Sequence, residues 1–200
     1  MAEKRSDTRV LTTRRQMAAL ASPVRLELVG ELKAAGPSSI RELAARMGRP
    51  ADGLYHHVKA LLRAGVVVQT DTRKVGKRTE AVYTLAAARI GGALDPASPA
   101  SRDDVTRAAA AVLRLAGREF TAAVRSGQVA CAGNVRNALV QRQKTWLTDE
   151  ALAELHALLA RVEQLLTAAA GRREGRPYAL TTVLSPLAPN RRASRADDKP

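Results

Sequence analysis

Polar and charged side chains recur on one face of a helix predicted between residues 51 and 64. Lysine and arginine suit phosphate oxygens or guanine, while tyrosine and histidine donate to or accept from base edges. The pattern predicts contact with a nucleic acid, although a solvated helix face has the same composition. The residues on this face are Asp52, Tyr55, His56, Lys59 and Arg63.

A cationic turn follows this helix closely in the chain. Residues 73–78 read Arg-Lys-Val-Gly-Lys-Arg at the tip of a predicted hairpin. Four cations repel one another there unless a polyanion faces them, and a DNA backbone or minor groove supplies one. Helix and hairpin together therefore favour DNA contact over a solvated surface. The residues assigned to DNA binding are Ser39, Arg49, Asp52, Tyr55, His56, Lys59, Arg63, Arg73, Lys74, Lys77 and Arg78.

Two short helices across a tight turn are predicted to position this surface. The first begins with a capping box, in which the Ser39 hydroxyl and the Glu42 carboxylate each cover a backbone amide. Gly48 and Pro50 end it, and the second helix follows from about residue 51 to 64. A helix pair of this kind lays its second helix in the major groove of DNA. The apolar stripe predicted for that second helix is Leu54, Val58, Leu61 and Leu62.

The same region resembles the winged helix-turn-helix domain of the ArsR-like bacterial repressors. The likeness covers about residues 13–88 and rests on segments 21–29, 54–67 and 80–85, which read ASPVRLELV, LYHHVKALLRAGVV and EAVYTL. The second segment matches the recognition helix of that family, and the third looks like its last wing strand. The resemblance implies a homodimer that represses transcription at a palindromic operator.

This sequence has no counterpart of the residues with which metal-sensing members of that family bind their ion. Those members use paired cysteines or clusters of His and acidic ligands, whereas this chain has one cysteine, Cys131, and three histidines. His56 lies on the predicted reading face. His57, spaced between Leu54 and Leu61, is interpreted as a half-buried histidine that locks the helix pair. Because a metal site needs several converging ligands, we expect no metal site and no cofactor.

The sequence contains no recognisable catalytic constellation. Gly76 and Lys77 lack the glycine five residues earlier that a phosphate-binding loop requires. Asp103 and Asp104 follow Ser101 and suit the start of a helix better than acid–base chemistry. We therefore expect no enzymatic activity.

Charge is distributed unevenly along the 200 residues. The formal net charge is +14, and residues 1–85 hold 16 Lys and Arg against 8 Asp and Glu. Residues 86–170 hold 10 against 8, so the excess is concentrated in the expected DNA-binding region and the tail. One cysteine fits a reducing cytoplasm, and no signal peptide or membrane span is visible. We expect a cytoplasmic protein with no membrane partner.

Five parts are predicted along the chain. Residues 1–12 should be frayed, and residues 13–88 should form the winged helix-turn-helix domain. A Gly- and Pro-bearing linker at 89–100 leads to a helical domain at 101–187 and a disordered tail at 188–200. The fold class is mainly α, or α+β, with one or two short strands in the helical domain. Further helices are predicted at 14–20, 23–35, 101–125 and 148–169.

The helix predicted at 148–169 is expected to form a subunit interface. Its apolar residues step by three and four along a seam that Leu158 and Leu165 widen, and an ordinary core helix fits this pattern equally well. Strands are predicted at about 138–146 and 178–184. The residues assigned to dimerisation are Leu152, Leu155, Leu159, Val162 and Leu166.

The leading hypothesis is a homodimeric, sequence-specific repressor with helix 51–64 in the major groove and wing 69–80 on the flanking backbone or minor groove. Phe120 and Trp146 mark a candidate effector pocket, although filling the core is the simpler interpretation of both. Two alternatives remain open. One is a winged-helix adaptor that binds a protein or senses a ligand, and the other is an architectural protein that binds DNA without sequence choice.

Overall fold

The structure is a computed structural model that describes residues 8–11, 13–76, 78–87, 89–92, 99–134, 136–172 and 174–187. Within these ranges the chain has a mixed α/β fold of six helices and two small sheets. The helices are α1 (Arg14–Leu20), α2 (Pro23–Ala35), α3 (Ile40–Met47), α4 (Asp52–Arg63), α5 (Pro99–Arg125) and α6 (Asp149–Ala169). The strands are β1 (Thr8–Leu11), β2 (Ser38–Ser39), β3 (Val67–Val75), β4 (Arg78–Leu85) and β5 (Arg89–Gly92). The predicted winged helix-turn-helix fold is confirmed, with α3 and α4 as the helix pair and β3–β4 as the wing.

Capping boxes begin both α1 and α3. In α3 the Glu42 amide donates to the Ser39 hydroxyl at 3.3 Å, and the Ser39 amide donates to the Glu42 carboxylate at 2.8 Å. Thr13 and Gln16 make the equivalent pair in α1. Gly48 ends α3 at φ 60°, in the left-handed region that glycine adopts without strain. The local sequence therefore sets both ends of α3.

A hydrophobic core joins α2, α3, α4 and the wing sheet. The stripe predicted for α4 is confirmed, with Leu54, Val58 and Leu61 buried and Leu62 partly buried at the edge. Burying each such side chain contributes about 1.5–3 kcal/mol, so the α3–α4 pair is held mainly by apolar packing. The fully buried aliphatic side chains of this core include Leu28, Leu43, Leu54, Leu61, Val66 and Val67.

The wing belongs to an antiparallel sheet whose strand order is β2-β4-β3. The hairpin pairs Val67 with Leu85 at its base and Val75 with Arg78 at its tip. Gly76 makes the turn at φ 61°. Since β2 directly precedes α3 and pairs with β4, the sheet ties the start of the helix pair to the wing.

The helix α5 packs against α1 and α2, and it makes no comparably extensive contact with α6 in the described part of the chain. Ala111 is fully buried in this packing, and Asp104 is 2% exposed and paired with Arg107. The helix begins at Pro99, two residues before the start predicted at Ser101, so Ser101 lies inside its first turn.

Residues 8–11 and 89–92 differ from expectation. The first range was expected to be frayed and the second to be linker, yet they form β1 and β5 and pair in parallel. Local sequence gives little signal for such a pairing, because the partners lie far apart in the chain. The rest of the expected frayed terminus, residues 1–7 and 12, lies outside the described residues, as do linker residues 93–98 and the tail 188–200.

The two C-terminal strands predicted at 138–146 and 178–184 were wrong. Both segments are irregular in the structure. A strand forms where its backbone amides and carbonyls meet a partner edge, and neither segment meets one within the described chain. β-Branched composition therefore does not suffice to make these segments strands.

Replacing Leu43 with Ala should lower the free energy of unfolding by about 2–5 kcal/mol, because the change leaves a cavity at a fully buried position. The matched control is Leu180→Ala, because the Leu180 side chain is 60% exposed. This variant should change the free energy of unfolding by less than about 0.5 kcal/mol. Urea denaturation followed by circular dichroism measures both. Equal losses would contradict the location of the core.

Candidate nucleic-acid interface

The helix α4 turns its apolar stripe toward the core and its polar face toward solvent. Tyr55 is 54% exposed, and the other residues of the predicted face are exposed as well. The 3.6-residue period places them along one side of the helix, so they form a continuous polar strip. The other four are Asp52, His56, Lys59 and Arg63.

The wing carries exposed cations beyond the core. Arg73, Lys74 and Arg78 all project from the β3–β4 hairpin as exposed side chains. Lys77, which was also assigned to DNA binding, lies outside the described residues. The structure therefore supplies two neighbouring exposed polar surfaces, one on α4 and one on the wing.

Two residues assigned to DNA binding are placed elsewhere. Ser39 is 3% exposed, and its hydroxyl accepts the hydrogen bond that caps α3. Arg49 is half-buried and forms an ion pair with Glu27 at 3.0 Å. Both side chains are occupied within the fold, so we withdraw them from the interface. The capping motif already visible in the sequence could have removed Ser39 from the set.

Two ion pairs connect α3 to the wing. Glu42 pairs with Arg73 at 2.9 Å, and Arg41 pairs with Glu80 at 3.0 Å. Arg73 and Glu80 also lie opposite each other in the β3–β4 register. We call these four residues the α3–wing quartet. Surface pairs of this kind are worth about 0.2–1 kcal/mol each, so the quartet adds little to the stability of the fold.

Glu42 is held in its ionised form at the centre of this quartet. The hydrogen bond from the Ser39 amide lowers the pKa of Glu42, partial burial opposes that shift, and the Arg73 guanidinium lowers the pKa further. The same carboxylate thus caps α3 and holds a wing arginine. Sequence reasoning found the first role and missed the second, because Arg73 lies 31 residues away.

Acidic residues on α2 hold the helix pair from the other side. Glu31 accepts a hydrogen bond from Arg46 at 2.9 Å, and the Arg46 guanidinium also donates to the Ser38 hydroxyl at 2.8 Å. Glu27 pairs with Arg49 at 3.0 Å and lies 3.7 Å from Arg118 of α5. These contacts fix the turn between α3 and α4 and connect it to α5.

His57 lies half-buried between the helices, as predicted. Its ring centroid is 3.8 Å from that of His56, with the planes tilted by 41°. Its Nδ1 atom is buried and has no hydrogen-bond partner among the described residues. Burial lowers the pKa of His57, and the nearby His56, Arg25 and Arg49 lower it further. The neutral imidazole is therefore the form that fits the fold.

Phe120 and Trp146 do not form the predicted effector pocket. Phe120 is half-buried on α5, whereas Trp146 is 92% exposed in the irregular segment before α6. A shallow depression of about 900 Å³ on α5 includes neither of them. It is lined by Arg114, Gly117, Arg118, Thr121, Ala122, Arg125 and Ser126.

The residues assigned to dimerisation lie on α6, which buries no side chain in the described chain. Leu152, Leu155 and Leu159 are half-buried, while Val162 and Leu166 are 40% and 43% exposed. The seam is thus open for contact.

Among the described residues, no group of three or more His, Cys, Asp or Glu is arranged to hold a metal ion.

Comparison with known proteins supports the geometry of the N-terminal half. A family model described as a helix-turn-helix domain matches residues 20–70, which run from the end of α1 through α4 into β3. A search of curated proteins returned no match. No helix in the described ranges is long and apolar enough to cross a membrane. The match and the exposed face of α4 together support a DNA-binding regulator.

Replacing His57 with Gln should make stability less dependent on pH between about pH 7 and 5. Because the folded state favours neutral imidazole, the unfolded state takes up the proton more readily. The His57 contribution is therefore present above the unfolded pKa of about 6.5 and is lost as pH falls through it.

Urea unfolding at a series of pH values measures this slope. The matched control is His156→Gln, at an exposed histidine on α6, which should retain the wild-type slope. A slope that persists in His57→Gln and vanishes in His156→Gln would contradict the assignment.

Proposed function

We propose that the protein is a sequence-specific transcriptional repressor of the ArsR-like type, which binds duplex DNA in the cytoplasm as a homodimer. The observation that carries this proposal is the exposed polar face of α4 beside an exposed cationic wing. The helix-turn-helix match at residues 20–70 supports DNA binding, and the resemblance of residues 13–88 supports the family and the repressor role.

The helix α4 would enter the major groove, which is wide enough to admit one α-helix. Tyr55 and His56 would face base edges, and Lys59 and Arg63 would reach guanine or phosphate. The wing cations Arg73, Lys74, Lys77 and Arg78 would contact the flanking backbone or minor groove. Their charge supplies affinity, whereas the base-contacting side chains on α4 supply discrimination.

The homodimer would place two copies of α4 on successive turns of the duplex. A two-fold axis relates the subunits, so the operator is expected to be palindromic with half-sites about 34 Å apart. The apolar seam of α6 is the surface that we assign to this pairing, because its leucines are exposed or half-buried in the single chain.

A titration against genomic fragments at several salt concentrations separates this function from its two rivals. Specific regulation predicts a few tight sites that survive competitor DNA. An architectural protein predicts uniform binding with a steep salt dependence, and an adaptor predicts little binding at any site. The exposed cations of the wing favour DNA over the adaptor.

His56→Ala should reduce discrimination between sites, whereas Arg78→Ala should weaken binding to all sites by a similar factor. The reason is that His56 lies on the groove-facing strip of α4 and Arg78 lies on the wing. Losing one base contact costs about 1–3 kcal/mol at the matching base pair. Binding to the best site and to single-base variants measures both, and the same uniform loss in both variants would contradict these roles.

Glu42→Gln should tighten DNA binding about two- to five-fold at low salt. Glutamine retains the capping geometry of α3 but removes the carboxylate that holds Arg73 at 2.9 Å, so the guanidinium becomes available to a phosphate. The control is Glu174→Gln, which removes the same charge from an exposed position after α6. Tightening of equal size in both variants would mean that net charge, and not release of Arg73, causes the effect.

A further inference from the structure

The helix α6 has no fully buried side chain in the described chain. It spans 21 residues, buries no side chain and makes none of the extensive contacts between elements. Isolated helices of this length are marginal in water, and their stability in proteins comes from packing an apolar face. A surface that is absent from the single chain should therefore cover α6.

The face of α6 that we expect a partner to bury is broad and apolar. Leu158 and Leu165 are 59% and 65% exposed and widen the dimerisation seam into what we call the α6 stripe. At 100° per residue, Glu154 and Glu163 flank this stripe on opposite sides. The helix carries four acidic residues against one arginine. Its partner should therefore be apolar at the centre and basic at an edge. The α6 stripe consists of Leu152, Leu155, Leu158, Leu159, Val162, Leu165 and Leu166.

A matching surface lies on α5. While Ala111 faces α1 and α2, the other side of α5 carries apolar residues at spacings of three and four. Leu113 and Val124 on that side are 53% and 49% exposed. Small residues within the row allow a second helix to approach to about 8–10 Å. We call this row the distal face of α5, and it consists of Ala109, Leu113, Gly117, Phe120 and Val124.

Arginines border the distal face along one edge. Arg114, Arg118 and Arg125 fall within one 40° sector of the helix and line the shallow depression on α5. Arg118 lies 3.7 Å from Glu27, too far for a close hydrogen bond, and so keeps capacity for a second carboxylate. The distal face thus has the apolar centre and basic edge that α6 requires.

We propose that the α6 stripe of one subunit docks on the distal face of α5 in a second copy of the chain. The exchange is reciprocal, so one two-fold axis covers both stripes and both distal faces. Leucines of α6 pack around Phe120 and Gly117, and Glu154 at one side of the stripe meets the arginine edge. This inference rests on the proposed homodimer and specifies its contact, which differs from pairing α6 with α6.

A second copy is the occupant because the two surfaces complement each other and occur in the same chain. Within one chain α5 and α6 make no extensive contact with each other. The end of α6 is held at the end of α2, where the Gly171 amide donates to the Ala34 carbonyl at 2.8 Å, and both apolar faces remain open. Both surfaces are apolar and their charged edges have opposite sign, whereas two α6 helices would bring their acidic edges together.

Cross-linking between differently tagged full-length chains tests the exchange. In a Cys131→Ser background, one chain carries Leu113→Cys on α5 and the other carries Leu158→Cys on α6; both sites are exposed. The chains are co-expressed and treated with a short bismaleimide. We expect the 113–158 product to dominate over 113–113 and 158–158, and its formation requires two chains because each has one cysteine.

The matched control places the second cysteine at Gln164, on the side of α6 opposite the stripe, and should lose most of the cross-linked product. Sedimentation measures the oligomeric state of every variant. A dimer that yields mainly 158–158 or 113–113 product, or no product, overturns the exchange while leaving the homodimer intact. A monomer overturns both, and the DNA titration then reports on the proposed function independently.

Discussion

The placement of Ser39 constrains the rest of the N-terminal fold. Its backbone pairs with Val82 in the sheet, while its hydroxyl caps α3 one residue later. A residue with both roles leaves no free linker between the helix pair and the wing. Glu42 strengthens the constraint by completing the cap through the Ser39 amide. The polar face of α4 and the cationic hairpin therefore keep a fixed position relative to each other. Two surfaces that contact the same DNA duplex have to be held in this way.

Elements that depend on neighbouring residues could be predicted from the sequence. The capping box of α3 and the buried stripe of α4 follow from spacings of three or four residues, and the bounds of α2 follow from Pro23 and Gly36. The pairing of β1 with β5 and the ion pairs of α2 join residues far apart in the chain, and composition carries no signal for them. The exposed positions on α4 and the wing were predictable for the same local reason. Arg49 was misassigned because its partner, Glu27, is not a sequence neighbour.

The C-terminal region shows a different limit of sequence reasoning. Its helix α6 forms where the capping threonine and apolar period predict it, yet the segments predicted as strands stay irregular. A helix satisfies its own backbone hydrogen bonds, whereas a strand depends on a neighbour. The large apolar side chains that remain exposed are concentrated between residues 139 and 187. Such a distribution is typical of a region whose packing is completed by another molecule.

The pairing of Glu42 with Arg73 also affects how binding thermodynamics would be interpreted. When a phosphate takes the place of the carboxylate at Arg73, the DNA loses a condensed counterion, but the displaced Glu42 attracts a cation from solution. Net ion release for this contact is then smaller than for an arginine that was unpaired beforehand. A slope of binding affinity against salt would undercount the phosphate contacts of the wing, so the footprint inferred from it would be narrower than the true one.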